Sequence, residues 1–298
     1  MKEKIILFLF LIPFFSKAQL LPEDEVKIKL YEDTIRIYGD SLINSLTQEN
    51  RTIASYRMIK TLTSALKIKN SFYYKWDERL PWTIVSPEDG TFKIFTWYDR
   101  NDEDLYRFFG TIQIKCDTLK MFPLIDYSDF IDHQEDINVD NRNWLGALYY
   151  GIKTVKDKKK TYYTLFGWDG NNITSNRKIM EIFSLNKKGF PRFGAPIIDM
   201  GNGKILNRLI LDYAEDASIS LNFNTIENKV MYDHIKPTGE DMEGFFGNYI
   251  PDGTYEGFYW KKGKWRHVDN IDYEKRIEGD VPNVVKKKSF ELYKPKTK

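Results

Sequence analysis

The most ligand-like chemistry in the sequence lies in the run Tyr162-Tyr163-Thr164-Leu165-Phe166-Gly167-Trp168-Asp169-Gly170-Asn171-Asn172, where an apolar stretch ends in a polar turn. An indole can stack on a sugar ring, and a carboxylate with two amides can hydrogen-bond its hydroxyls. Trp168, Asp169, Asn171 and Asn172 therefore form the candidate binding set. Turns, however, select Asp-Gly and Asn-Asn for backbone reasons, and Trp168 would then cover the edge of the core. The residue types favour this second reading.

Other constellations are weaker. Asp136-x-Asn138-x-Asp140-Asn141 resembles the start of a calcium loop, but the sixth place holds Asn141 instead of glycine and the twelfth Ala147 instead of glutamate. An acidic loop is the better description, and no metal site is assigned. Asp233-His234 and Arg266-His267 fall near expected strand ends, so a hydrolase triad is possible by inventory without being suggested by any spacing. Cys116 follows Ile112 and Ile114 at strand spacing, which points it inward as a small apolar residue. A nucleophilic thiol would need a histidine, and His133, His234 and His267 stand in no pattern with it. Arg177 and Arg192 flank turns, where arginines commonly pair with carboxylates. There is no Gly-x-Ser-x-Gly, His-Glu-x-x-His, phosphate-binding glycine loop or Cys-x-x-Cys. Catalytic residues stay unassigned, and no cofactor is implied.

The elements that must position these residues fall into two textures. Over residues 23–67, Val26, Leu30, Ile35, Tyr38, Leu42, Leu46, Ile53, Tyr56, Ile59, Leu62 and Leu66 recur at helical spacing. The polar run after Thr47 starts a new helix, giving an antiparallel hairpin, and Gly39 marks a further break. Beyond Asn70, short aromatic and β-branched runs alternate with Gly, Pro, Asn and Asp clusters, as in antiparallel strands. Strands are expected over 91–97, 106–116, 144–155, 161–167, 178–185, 205–213, 218–223, 229–234 and 256–260, with hairpin turns at Asp89-Gly90, Asp169-Gly170 and Asp252-Gly253. Residues 126–143 are acidic and aperiodic, which predicts an excursion loop. Residues 89–97 and 252–260 share an Asp-Gly-Thr turn feeding an aromatic strand, but about a dozen strands are too few for a propeller. The expected fold is mainly β, a sandwich, barrel or multi-sheet assembly, with an N-terminal helical hairpin. Residues 19–70 form the helical segment, 71–285 the β domain and 286–298 a basic tail.

The first 18 residues place Lys2 and Lys4 before an apolar run, then Ser16-Lys17-Ala18, the layout of a secretory signal peptide. Cleavage would start the chain at Gln19. With the only cysteine at Cys116, neither lipid anchoring at the cut nor an internal disulfide is expected. Removing the leader lowers Lys+Arg from 45 to 42 and Asp+Glu from 43 to 42, a neutral balance. That gives no electrostatic footprint for nucleic acid, and no later run is apolar enough for a transmembrane anchor.

The stretches Ser71-Phe72-Tyr73-Tyr74, Phe92-Lys93-Ile94-Phe95-Thr96-Trp97, Tyr163 to Asn172 and Gly189-Phe190-Pro191-Arg192-Phe193-Gly194 resemble a family of exported bacterial β-rich proteins with no established activity. The resemblance implies one exported β-rich unit and transfers no catalytic residue. The expectation is a periplasmic or secreted chain that acts as a non-catalytic binding or envelope-associated module toward a glycan, peptide or envelope protein. The alternative is a hydrolase acting on a glycan or peptide.

Overall fold

The computed structural model describes residues 20–271 except 104, 117, 118 and 159. The signal peptide and the basic tail expected from the sequence lie outside the described residues. Two helices, α1 (Pro22–Asn44) and α2 (Gln48–Leu66), form the expected antiparallel hairpin. Thr47 ends the link and caps α2, its side-chain oxygen accepting from the Asn50 amide at 3.3 Å. The apolar period is real, but the buried face of α1 is Ile28, Ile35 and Leu42, whereas Val26, Leu30 and Ile37 face solvent. Gly39 does not break α1. A Cβ there would fall 2.3 Å from Pro81 Cγ, so the glycine lets the helix pack closely on Pro81.

Among the described residues, fifteen strands follow. They are β1 (Thr83–Val85), β2 (Phe92–Arg100), β3 (Tyr106–Ile114), β4 (Lys120–Ile125), β5 (Leu148–Asp157), β6 (Lys160–Asp169), β7 (Ser175–Leu185) and β8 (Pro191–Phe193), then β9 (Ile198–Asp199), β10 (Ile205–Leu206), β11 (Arg208–Ala214), β12 (Leu221–Asn224), β13 (Lys229–Pro237), β14 (Tyr249–Lys261) and β15 (Lys264–Val268). They make three sheets. The first is ordered β1-β2-β3-β4, the second β11-β7-β6-β5 with β8 on β7, and the third β10-β9-β15-β14-β13-β12. Pairing is antiparallel except between β15 and β9.

Alternation along the strands stacks these sheets into layers. On β2, Phe95 and Trp97 pack with Ile28, Met58 and Leu62 of the hairpin. Phe92 and Ile94 point the other way, into a core with Tyr163, Leu165 and Phe183 of the second sheet. Phe92 meets Tyr163 and Phe183 edge-on at 4.8 and 4.9 Å. The next residues of β6 and β7, Tyr162, Phe166, Met180 and Ile182, enter a third core with Val230, Tyr232, Phe258 and Trp265 of the third sheet. The order is therefore helical hairpin, sheet, sheet, sheet. Each fully buried large apolar side chain in these layers contributes about 1.5–3 kcal/mol.

Two further sequence expectations are corrected here. Asp252-Gly253 lies inside β14 instead of at a hairpin, so it and Asp89-Gly90 share an Asp-Gly-Thr turn without being a structural repeat. In both, the aspartate accepts the amide and hydroxyl of the following threonine. The 126–143 loop is irregular as expected, but it is tied down: Val139 bridges Phe193 and Asn138 donates to the Gly194 carbonyl.

Cys116 is the second. Strand β3 ends at Ile114, the alternation ends with it, and the thiol is exposed. A thiol reagent should therefore modify the native chain at nearly the rate of the unfolded one. Strong protection in the native state would show that the strand continues.

Candidate functional site

The turn after β6 consumes its own polar groups. Asp169 Oδ1 accepts the Asn171 amide at 2.8 Å, and Asn171, at φ 44°, donates its side-chain amide to Ser175 Oγ at 2.7 Å. Asn172 Oδ1 accepts from the amides of Thr174 and Ser175 and from the Thr174 hydroxyl. Trp168 is half-buried, with Tyr106, Tyr98 and Phe108 at 5.2, 5.8 and 6.4 Å between ring centroids. Gly170 has no room for a Cβ, which would meet Tyr106 at 2.2 Å, and the short turn Phe246–Asn248 closes over Thr174. The four residues are together, but as a folded turn in which Asp169 Oδ1, Asn171 Nδ2 and Asn172 Oδ1 hold the turn itself.

The other candidates are likewise engaged. Arg177 pairs with Asp212 at 2.6 Å and Arg192 with Asp140 at 3.4 Å. Asn138 and Asp140 of the calcium-like run point to Gly194 and Arg192, so their oxygens do not converge.

Burial pushes the Asp169 carboxyl up from 3.8 to about 6, against the Asn171 hydrogen bond and Arg177, which favour its charge. Its folded value lies above its unfolded one. The stability tied to that proton is thus complete below about pH 4 and is lost as pH rises through about 6. Asp169→Asn keeps the Oδ1 acceptor and removes the penalty on the charge. It should stabilise the chain above pH 7 by on the order of 2 kcal/mol, with the gain fading toward pH 4. Melting curves across that range check this, and a gain that does not change with pH would contradict it.

A different convergence appears on the third sheet. Register sets Tyr232 of β13 opposite Glu256 of β14, and Phe258 opposite His267 of β15. With side chains alternating, Tyr232, His234, Glu256 and His267 share the face that carries Val230, Phe258 and Trp265 into the core. Tyr232 donates to Glu256 Oε2 at 2.6 Å, and His267 Nε2 lies 3.0 Å from both groups. His267 Nδ1 faces Asp269 at 3.3 Å. His234 Nδ1 faces Asp252 at 3.0 Å and its Nε2 faces Glu256 Oε1 at 3.7 Å. The result is an alternating file, Asp252, His234, Glu256, His267, Asp269, with a phenol at its centre.

Its environment is graded. Tyr232 is buried, and burial, with Glu256 next, holds its hydroxyl far above the ordinary range, so it remains a donor. Asp252 is held below the usual carboxylate range, first by Thr254 and then by His234. His234 and Asp269 reach solvent, with 38% and 73% of their side chains exposed. One ligand atom each from Glu256, His267 and Asp269 lie within 4.8 Å of one another, so this end of the file can bind a cation. Among the described residues, no hydrogen bond joins His234 or His267 to a serine, threonine or cysteine; the hydroxyl beside His267 is that of Tyr232. The sequence offers His234 and His267 as chemically able residues but carries no signal for Glu256, which enters through strand pairing. Comparison with protein-family models, with curated proteins and with solved structures returns no match.

Proposed function

We propose that this chain is a non-catalytic binding module, exported to the periplasm or secreted from a bacterium, whose ligand-holding face is the open end of the third sheet around Glu256. The observation that carries this reading is the file of two imidazoles between three carboxylates, brought together by three adjacent strands. Two depressions in the surface lie away from this face. One, of about 240 Å³, runs between α2 and the β3–β4 pair beside Leu62, Phe109 and Met121. The other, of about 520 Å³, surrounds Asn70 and Gln113 at the end of α2. No helix among the described residues is long and apolar enough to cross a membrane.

A thermal-shift screen of the purified chain against ions, sugars and peptides, with hydrolysis followed in the same wells, tests the proposal. Wild type should gain melting temperature with a ligand that leaves Glu256→Gln unshifted, without turnover. Hydrolysis abolished by Glu256→Gln would establish the enzyme instead.

A further inference from the structure

We propose that Glu256, His267 and His234, with Asp269 and Asp252 behind the two rings, form a site for a divalent transition-metal ion of the zinc class. The inference rests on the binding role assigned to this face and names the ligand. Its first support is the way the rings face. Both nitrogens of each ring face a carboxylate: Asp252 and Glu256 for His234, Glu256 and Asp269 for His267. Glu256 is the carboxylate the two rings share, and His267 Nε2 also lies 3.0 Å from the Tyr232 hydroxyl. An ion beside Glu256 would be within reach of one nitrogen from each ring.

The arrangement then matches how metal-bound histidines are held. With Nε2 of each ring toward Glu256, the Nδ1 protons go to Asp252 at 3.0 Å and Asp269 at 3.3 Å, the carboxylate–histidine–metal pattern that fixes tautomer and ring orientation. In that tautomer Asp269 stands behind His267 as Asp252 stands behind His234, so both aspartates orient the rings and the ion is left to Glu256 and the two Nε2 atoms. The buried Tyr232 hydroxyl anchors Glu256 Oε2 at 2.6 Å.

Distances agree with the class of ion. Bonds of about 2.0–2.2 Å in a tetrahedron set ligand atoms about 3.3 Å apart. The Nε2 atoms of His267 and His234 lie 3.0 and 3.7 Å from Glu256 oxygens. Imidazole with carboxylate suits zinc and its neighbours better than calcium or magnesium, which take oxygen ligands. Among the described residues, Lys236 lies 3.8 Å from Asp252 and competes there.

Equilibrium dialysis of the untagged, metal-stripped full chain against zinc decides the matter. One zinc per chain should be retained by wild type and by His133→Ala, which alters the histidine outside the cluster. His267→Ala and Glu256→Gln should each weaken retention more than 100-fold, and Asp269→Asn by roughly tenfold. Circular dichroism confirms that each variant is folded, and cobalt loaded in place of zinc should give wild type an intense tetrahedral visible spectrum that is absent in the histidine variants. Failure of wild type to retain zinc, or equal retention by a folded His234→Ala/His267→Ala double variant, would overturn the site. Neither result touches the broader binding role, which falls only if Glu256-dependent turnover is found.

Discussion

Replacing Glu181 by alanine is expected to cost the fold about 3–5 kcal/mol, with a matching fall in the denaturant midpoint. Glu181 and Arg208 are both fully buried, joined by Nε to Oε2 at 2.9 Å. They pair across β7 and β11, while Nη1 of Arg208 donates to the Gln134 carbonyl and so fastens the 126–143 loop to the second sheet. The pair has little slack. Arg208 Nη2 is buried without a hydrogen-bond partner, and Gly194 leaves it room, since a Cβ there would lie 2.9 Å away. Burial raises the Glu181 carboxyl above its ordinary value, and Arg208 draws it back. Alanine at 181 would leave the guanidinium charged and uncompensated in a dry core. Glu181→Leu combined with Arg208→Leu should recover most of the loss, because it removes both desolvation costs. A loss under about 1 kcal/mol for the single variant would mean that water reaches the guanidinium.

Trp168→Ala is expected to destabilise by about 3 kcal/mol or more, within the range for truncating a packed tryptophan. The indole sits against Tyr98, Tyr106 and Phe108 of the first sheet while belonging to the second, so its removal opens a gap between two layers. The same variant should leave ligand binding at Glu256 unchanged once stability is matched by temperature. A normal melting temperature with lost binding to a glycan or peptide panel would instead make Trp168, Asp169, Asn171 and Asn172 a recognition site.

Much of the architecture is legible in local pattern. Helical spacing, the Thr47 cap and the aromatic strand runs follow from near-neighbour physics, and they delimit the hairpin and most long strands. Which helix face is buried is not local: Val26 and Leu30 have the right spacing, but the hairpin and first sheet select Ile28 and Ile35. Strand β4 is obscured by Pro123, which the edge of a sheet tolerates. Strand β9 has two residues and depends on pairing with β15 and β10.

The site follows the same division. His234 and His267 are visible as chemically able residues, but what they face depends on the register of β13, β14 and β15. That register includes an irregularity between Asp233 and Ile235, beside His234. No sequence period announces such a bulge. The turn at Asn171 was conspicuous for the opposite reason, since backbone demands and ligand contacts favour the same residue types.

Nitrogen-15 correlation spectra of the imidazole and indole groups, recorded while zinc is titrated into the full chain, test the central claim most directly. The account predicts that the His234 and His267 signals shift together and saturate at one equivalent, with the Trp168 indole and the His133 ring unmoved. Movement of the Trp168 indole while both cluster imidazoles stay fixed would contradict it.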